Sequence, residues 1–96
     1  MIKKILILFC LLGAAPLFAE DEVQPGQKEF DTAIGYYTNS KFLLSIGAFK
    51  QAVNAGYTEP KVYFYMGNSY VNIGNLEKAI ALYDDAYEAS SEFAFQ

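Results

Sequence analysis

Shifted by 34 residues against itself, the chain pairs Phe30 with Phe64, Ala33 with Gly67, Tyr36 with Tyr70 and Ser40 with Gly74. The match continues through Phe42 with Leu76, Ser45 with Ala79, Ile46 with Ile80, Phe49 with Tyr83 and Ala52 with Ala86. Small residues meet small ones and aromatic residues meet aromatic ones. This is expected when the same close approach and the same filled hole recur along a stack of similar units. Such a chain is expected to fold as repeated supersecondary units laid side by side.

The units are predicted to be helical. Four segments, Gln27–Asn39, Lys41–Ala55, Pro60–Ile73 and Asn75–Ala89, carry apolar residues three and four positions apart, the period of a helix with one buried face. Gly56 and Gly74 fall where helices should stop, and Asn75 is placed to cap the next one. Thr58-Glu59-Pro60 offers a cap and an acidic lead-in before a proline suited to a first turn.

In residue classes and spacing the second unit resembles the tetratricopeptide repeat. Tyr63 stands for the opening aromatic of that family, Met66-Gly67 for its Leu-Gly pair and Tyr70 for the tyrosine one turn later. Gly74-Asn75-Leu76-Glu77-Lys78-Ala79-Ile80 is similar to the family's turn and second-helix start, and Tyr83 and Ala86 complete the signature. Glu29 and Thr32 in the first unit depart from it, standing where the family has an aromatic and a leucine. That unit is expected to be a divergent first repeat with a water-facing outer side. The resemblance implies an all-α, antiparallel helix-hairpin solenoid of two repeats, over residues 27–59 and 60–93, with 94–96 a tail or the start of a further repeat. Gly56-Tyr57 and the run from Val62 to Tyr70 also resemble the repeat region of the aerotolerance-operon proteins of bacterial envelopes.

A secretory signal peptide is expected ahead of the repeats. Met1-Ile2-Lys3-Lys4 is cationic and precedes an apolar run from Ile5 to Ala19 that is shorter than the roughly 20 residues needed to span a bilayer. Cleavage after Ala19 leaves residues 20–26 as an acidic linker and places the protein in the periplasm or elsewhere in the cell envelope. Membrane association is expected only if the signal stays uncleaved. Cys10 lies mid-run without a small neighbour, which does not suit lipidation. The mature chain then has no cysteine, so apolar packing rather than disulfides must hold it. Five lysines against eleven carboxylates give it a net charge of −6, which excludes a nucleic-acid partner on electrostatic grounds.

The chain has no histidine and no arginine, so an enzyme is not expected, nor a metal or cofactor site. Ser45 and Lys41 lie four apart without a third catalytic member. Asp84 and Asp85 are sequence neighbours whose carboxylates diverge on a helix. Both sets read as exposed polar face. No glycine-rich phosphate loop is present.

Binding is the better-supported function. In the family resembled here, the first helix of each hairpin lines a concave groove. This implies Phe30, Ile34 and Tyr37 in one unit and Phe64, Asn68 and Val71 in the other as a peptide-binding surface, with Lys61 the cation beside it. Each set forms one stripe per helix. Ala33, Tyr36, Tyr63, Met66, Gly67 and Tyr70 form a second stripe for contacts between helices. Asn68 resembles the asparagine with which some family members hold a terminal carboxylate, but Phe30 and Phe64 stand where those members carry lysine. The expected role is therefore a protein-interaction scaffold or assembly module that takes a peptide through apolar side chains and an amide. One alternative is an accessory subunit of an enzyme, or one holding a small apolar ligand. In another, the groove aromatics pack against a further repeat or a second copy through the C-terminal hairpin.

Overall fold

The computed structural model describes residues 23–94. The signal read over residues 1–19, its cleavage point and Cys10 lie outside the described residues. Among the described residues the chain is all helical: α1 Gln27–Thr38, α2 Phe42–Asn54, α3 Lys61–Asn72 and α4 Leu76–Ala94, with no strand. Each helix packs on its neighbour in chain order, α1 on α2, α2 on α3 and α3 on α4. Connections this short leave consecutive helices antiparallel.

The first three helices end in one motif. The amides of Ser40 and Lys41 bond the carbonyls of Tyr37 and Tyr36 at 3.0 and 2.8 Å. The amides of Gly56 and Tyr57 bond those of Val53 and Ala52, both at 3.0 Å, and the amides of Gly74 and Asn75 bond those of Val71 and Tyr70 at 3.0 and 2.9 Å. This pair of bonds satisfies orphan carbonyls at a helix end and requires a left-handed residue, with φ +62° at Ser40, +108° at Gly56 and +85° at Gly74. Ser40 alone carries a Cβ there. Ser40→Gly should therefore stabilise the fold by about 0.5–1 kcal/mol, the left-handed penalty less the added freedom of the unfolded chain. Thermal unfolding should show the midpoint rising by about 2–6 °C.

At α4 the expected end at Ala89 is not where the helix stops. The position 34 residues after Gly56 is Ser90, where the backbone stays helical, and the helix runs on to Ala94. At the start of that helix, the Asn75 side-chain oxygen accepts a bond from the Lys78 amide at 3.2 Å, as a cap should. The Thr58 cap does not form. α3 begins at Lys61 with Pro60 at the cap position and no side-chain bond there.

Burial is unequal between the two helix pairs. Phe30, Ala33, Ile46, Phe49, Ala52 and Val62 are all 5% exposed or less, so the core lies where α3 meets α1 and α2. From α4, among the residues whose burial is described, Ala79 is the buried apolar residue. The same sequence position meets opposite environments: Ile46 is 5% exposed and Ile80 62%, Phe30 5% and Phe64 49%. α3 covers the first pair, whereas the matching face of the second pair is open to solvent.

Two polar features sit in the core. The Ser45 and Ser69 hydroxyls, both fully buried, meet at 2.9 Å and also approach the carbonyls of Phe42 and Tyr65 at 2.8 and 3.0 Å. Two hydroxyl hydrogens serve these three contacts. Ser45 is thus a core residue joining α2 to α3 rather than part of an exposed face. Asp84 and Asp85 are exposed.

The second feature is the Tyr57 phenol, pushed up from 10.0 to about 12 by burial, with the Glu59 and Asp31 carboxylates adding to the shift. The folded chain holds this proton to a higher pH than the unfolded one. Its contribution to stability is therefore complete below pH 10 and is lost as pH rises toward 12, on the order of 2–3 kcal/mol. Tyr57→Phe should flatten the fall of the unfolding midpoint between those pH values. Parallel declines in the two proteins would show that Tyr57 is not the titrating group.

Candidate functional site

The residues expected to line a groove fall into three settings. Phe30 is buried, stacked on Tyr57 at 4.6 Å between ring centroids and 12° between planes. It belongs to the core and is not a surface contact in this chain. Ile34, Tyr37 and Asn68 are half-buried, and Phe64 and Val71 are exposed. Lys61 is exposed, and its ammonium lies over the Phe30 ring, 5.3 Å from the centroid, so this cation is held by an aromatic face.

Asn68 occupies the centre of this surface and is engaged at both ends of its amide. Its nitrogen donates to the Tyr37 hydroxyl on α1 at 3.2 Å, and its oxygen accepts from the Tyr83 hydroxyl on α4. One side chain of α3 thus ties together α1, α3 and α4. One N–H and one lone pair of the amide remain beyond these two bonds. The residue therefore positions two tyrosines, and any partner would meet an amide already oriented by them.

Tyr65 is the aromatic hub. Its ring lies 5.2 Å from Tyr37, 6.2 Å from both Phe30 and Phe49, and 5.8 Å from Phe64. It links the buried cluster to the exposed one. The expected stripe at intervals of three and four leaves it out, because it sits one residue past Phe64. Its signal was the continuous aromatic run Tyr63-Phe64-Tyr65, which a helix can satisfy only by having partners on more than one side.

An open apolar groove of about 650 Å³ runs between α3 and α4. Phe64 and Tyr83, 5.9 Å apart, form one wall, and Ala86 and Tyr87 continue it along α4. Pro60 and Lys61 close one end, with Ser90 beside them on α4. Tyr87 is 73% exposed. Of the residues expected from sequence, only Lys61 and Phe64 line this groove. Tyr65, Tyr83 and Tyr87 were missed as surface residues.

The Tyr83 position depends on a close approach. A Cβ at Gly67 would lie 2.8 Å from the Tyr83 ring and 3.3 Å from the Ala79 carbonyl oxygen. The absence of a side chain at Gly67 lets the ring drop against α3, where its hydroxyl reaches Asn68. Gly47 makes no such contact, since the space about it is empty.

Among the described residues no three His, Cys, Asp or Glu side chains are grouped to hold a metal ion, and no helix is long and apolar enough to cross a membrane. What the surface offers is apolar contact area with oriented hydroxyl and amide groups along its edge. Comparison of the chain with protein-family models, with curated proteins and with solved structures returned no match, so its function is argued from this geometry.

Proposed function

We propose that the chain is a protein-interaction module of the bacterial cell envelope, exported by its N-terminal signal and built from two tetratricopeptide-like helix pairs. It holds a segment of a partner polypeptide against its apolar surface. The observation that carries this reading is the half-exposed Phe64 beside Tyr83 and Tyr87 on a groove whose tyrosine wall is fixed by Asn68. Ordered aromatic anchors of this kind supply large contact area at low entropic cost, and exposed apolar patches on folded chains mark interaction sites. The left-handed endings at Ser40 and Gly74, 34 residues apart, support the repeat assignment for the first helix of each pair, while the ending at Gly56 has no counterpart at Ser90.

A reading in which the groove holds a small apolar ligand has less support. Such sites bury most of the ligand in an enclosed cavity, whereas this groove is open along its length. A photo-crosslinking residue placed at Phe64, with Lys50 on the exposed side of α2 as control, tests the proposal in cells of the source bacterium. A discrete polypeptide adduct at Phe64 and none at Lys50 is expected. Equal adducts at both positions, or none, would sink it.

A further inference from the structure

The open groove is an internal copy of a site that is filled elsewhere in the chain. Pro60, Phe64, Tyr83, Ala86, Tyr87 and Ser90 line it, and they lie 34 positions after Gly26, Phe30, Phe49, Ala52, Val53 and Gly56. In the first helix pair that space belongs to Tyr57. Its ring stacks on Phe30, its amide donates to the Ala52 carbonyl at 3.0 Å, and its Cβ lies so near Gly26 that a side chain there would approach to 2.7 Å. Tyr57 is 2% exposed. The chain delivers it by turning back at Gly56. α4 has Ser90 at that point and continues as a helix, so Ser91 takes the place of the tyrosine in sequence, and among the described residues the rings beside Phe64, those of Tyr65 and Tyr83, lie edge-on or tilted rather than stacked on it.

Beyond Tyr57, the covering of the filled site is completed by α3, whose Val62, Met66 and Ser69 are buried and whose Tyr65 ring lies against Phe30, Tyr37 and Phe49. The counterparts of those three rings are Phe64, Val71 and Tyr83, none of which is buried. A second copy stacked head to tail would have to present α1 in the place of α3. The α1 residues matching Val62, Tyr65, Met66 and Ser69 are Lys28, Asp31, Thr32 and Gly35, two of them charged and all exposed. That face does not substitute for the α3 face, since it would bury charge without partners.

We propose that the α3–α4 groove is a socket for an aromatic side chain of a partner polypeptide, carried on a turn that leads into an amphipathic helix with a packing aromatic eight residues later, as Tyr65 follows Tyr57. This rests on the protein-interaction reading above and names the partner's chemistry. The recognition element stacks on Phe64 as Tyr57 stacks on Phe30. The helix behind it repeats the spacing of Val62, Tyr65, Met66 and Ser69.

The chain supplies its own probe: a synthetic peptide with the sequence of residues 56–73, titrated into the purified full chain while tyrosine and phenylalanine ring signals are followed by NMR. Saturable binding at one site is expected, with shifts at Phe64, Tyr83 and Tyr87. A Tyr57→Ala peptide should bind about tenfold more weakly or worse, as removal of a central aromatic anchor does. Ser90→Trp in the protein, an exposed position that should leave the fold intact, should block binding, and Tyr87→Ala should weaken it. No binding, or equal affinity for the Tyr57→Ala peptide, would overturn the socket. So would shifts at Phe30 and Phe49 instead, which would mean exchange with α3. Sedimentation showing a dimer that Ser90→Trp abolishes would assign the groove to a second copy and overturn it as well. A protein that forms the Phe64 adduct in cells yet ignores the peptide keeps its interaction role and loses the socket.

Discussion

Gly26→Ala is expected to lower the thermal unfolding midpoint by about 15–25 °C, corresponding to a loss of about 3–4 kcal/mol, or to abolish cooperative unfolding altogether. Two costs combine. Gly26 has φ +79°, where an L side chain costs about 1–2 kcal/mol. The added methyl would also lie 2.5 Å from the Ala52 carbonyl oxygen and 2.7 Å from Tyr57 Cβ. Neither is the end of a flexible side chain, so relief requires the backbone to move, and overpacking of this kind costs about 1–3 kcal/mol. The stretch before α1 was expected to be a linker, yet Gln24 donates to Glu59 at 3.0 Å and the Gly26 carbonyl accepts from the Phe30 amide at 2.9 Å. Differential scanning calorimetry compares the two proteins directly. A drop of less than about 5 °C would mean that this contact is dispensable.

Tyr65→Ala should cost about 3 kcal/mol, at the lower end for deleting a large aromatic because the residue is only half-buried. The loss is not local. Tyr65 contacts rings on α1, α2 and α3 itself, so its removal separates the core cluster from Phe64 and frees Tyr37, which holds one end of Asn68. Urea unfolding should show the midpoint falling, and the Tyr37 and Phe64 ring signals should shift in the folded protein. Tyr65→Phe should retain most of the stability, since the contacts described are made by the ring. If the alanine and phenylalanine variants unfold alike, the ring is not what joins the two helix pairs.

Helix positions were legible because helix period and termination are local properties. Apolar spacing placed all four helices within a few residues, and Gly56 and Gly74 marked real left-handed turns. The one end that was missed, at α4, lies past Ser90, which keeps helical backbone where its counterpart Gly56 turns left-handed. The buried face was largely legible too: of the second stripe Ala33, Met66, Gly67 and Tyr70 are buried, while Tyr36 and Tyr63 are half-buried.

The site was less legible. Phe30 and Phe64 are the same residue at equivalent positions, and no sequence rule separates them. Ser45 and Ala79 matched as small residues, but only Ser45 faces a second hydroxyl across a helix interface. Asn68 was read as a contact for a peptide, while its partners Tyr37 and Tyr83 lie 31 and 15 residues away and become neighbours only on folding.

The sequence by itself determined that the described chain is helical, where its four helices lie to within a few residues, and much of which face of each turns inward, because these depend on residues within a turn or two. Only the tertiary structure decided which aromatic residues are core and which are surface, since that depends on whether another helix arrives to cover them. α3 arrives to cover Phe30 and Ile46, while Phe64 and Ile80 keep the same chemistry in contact with water.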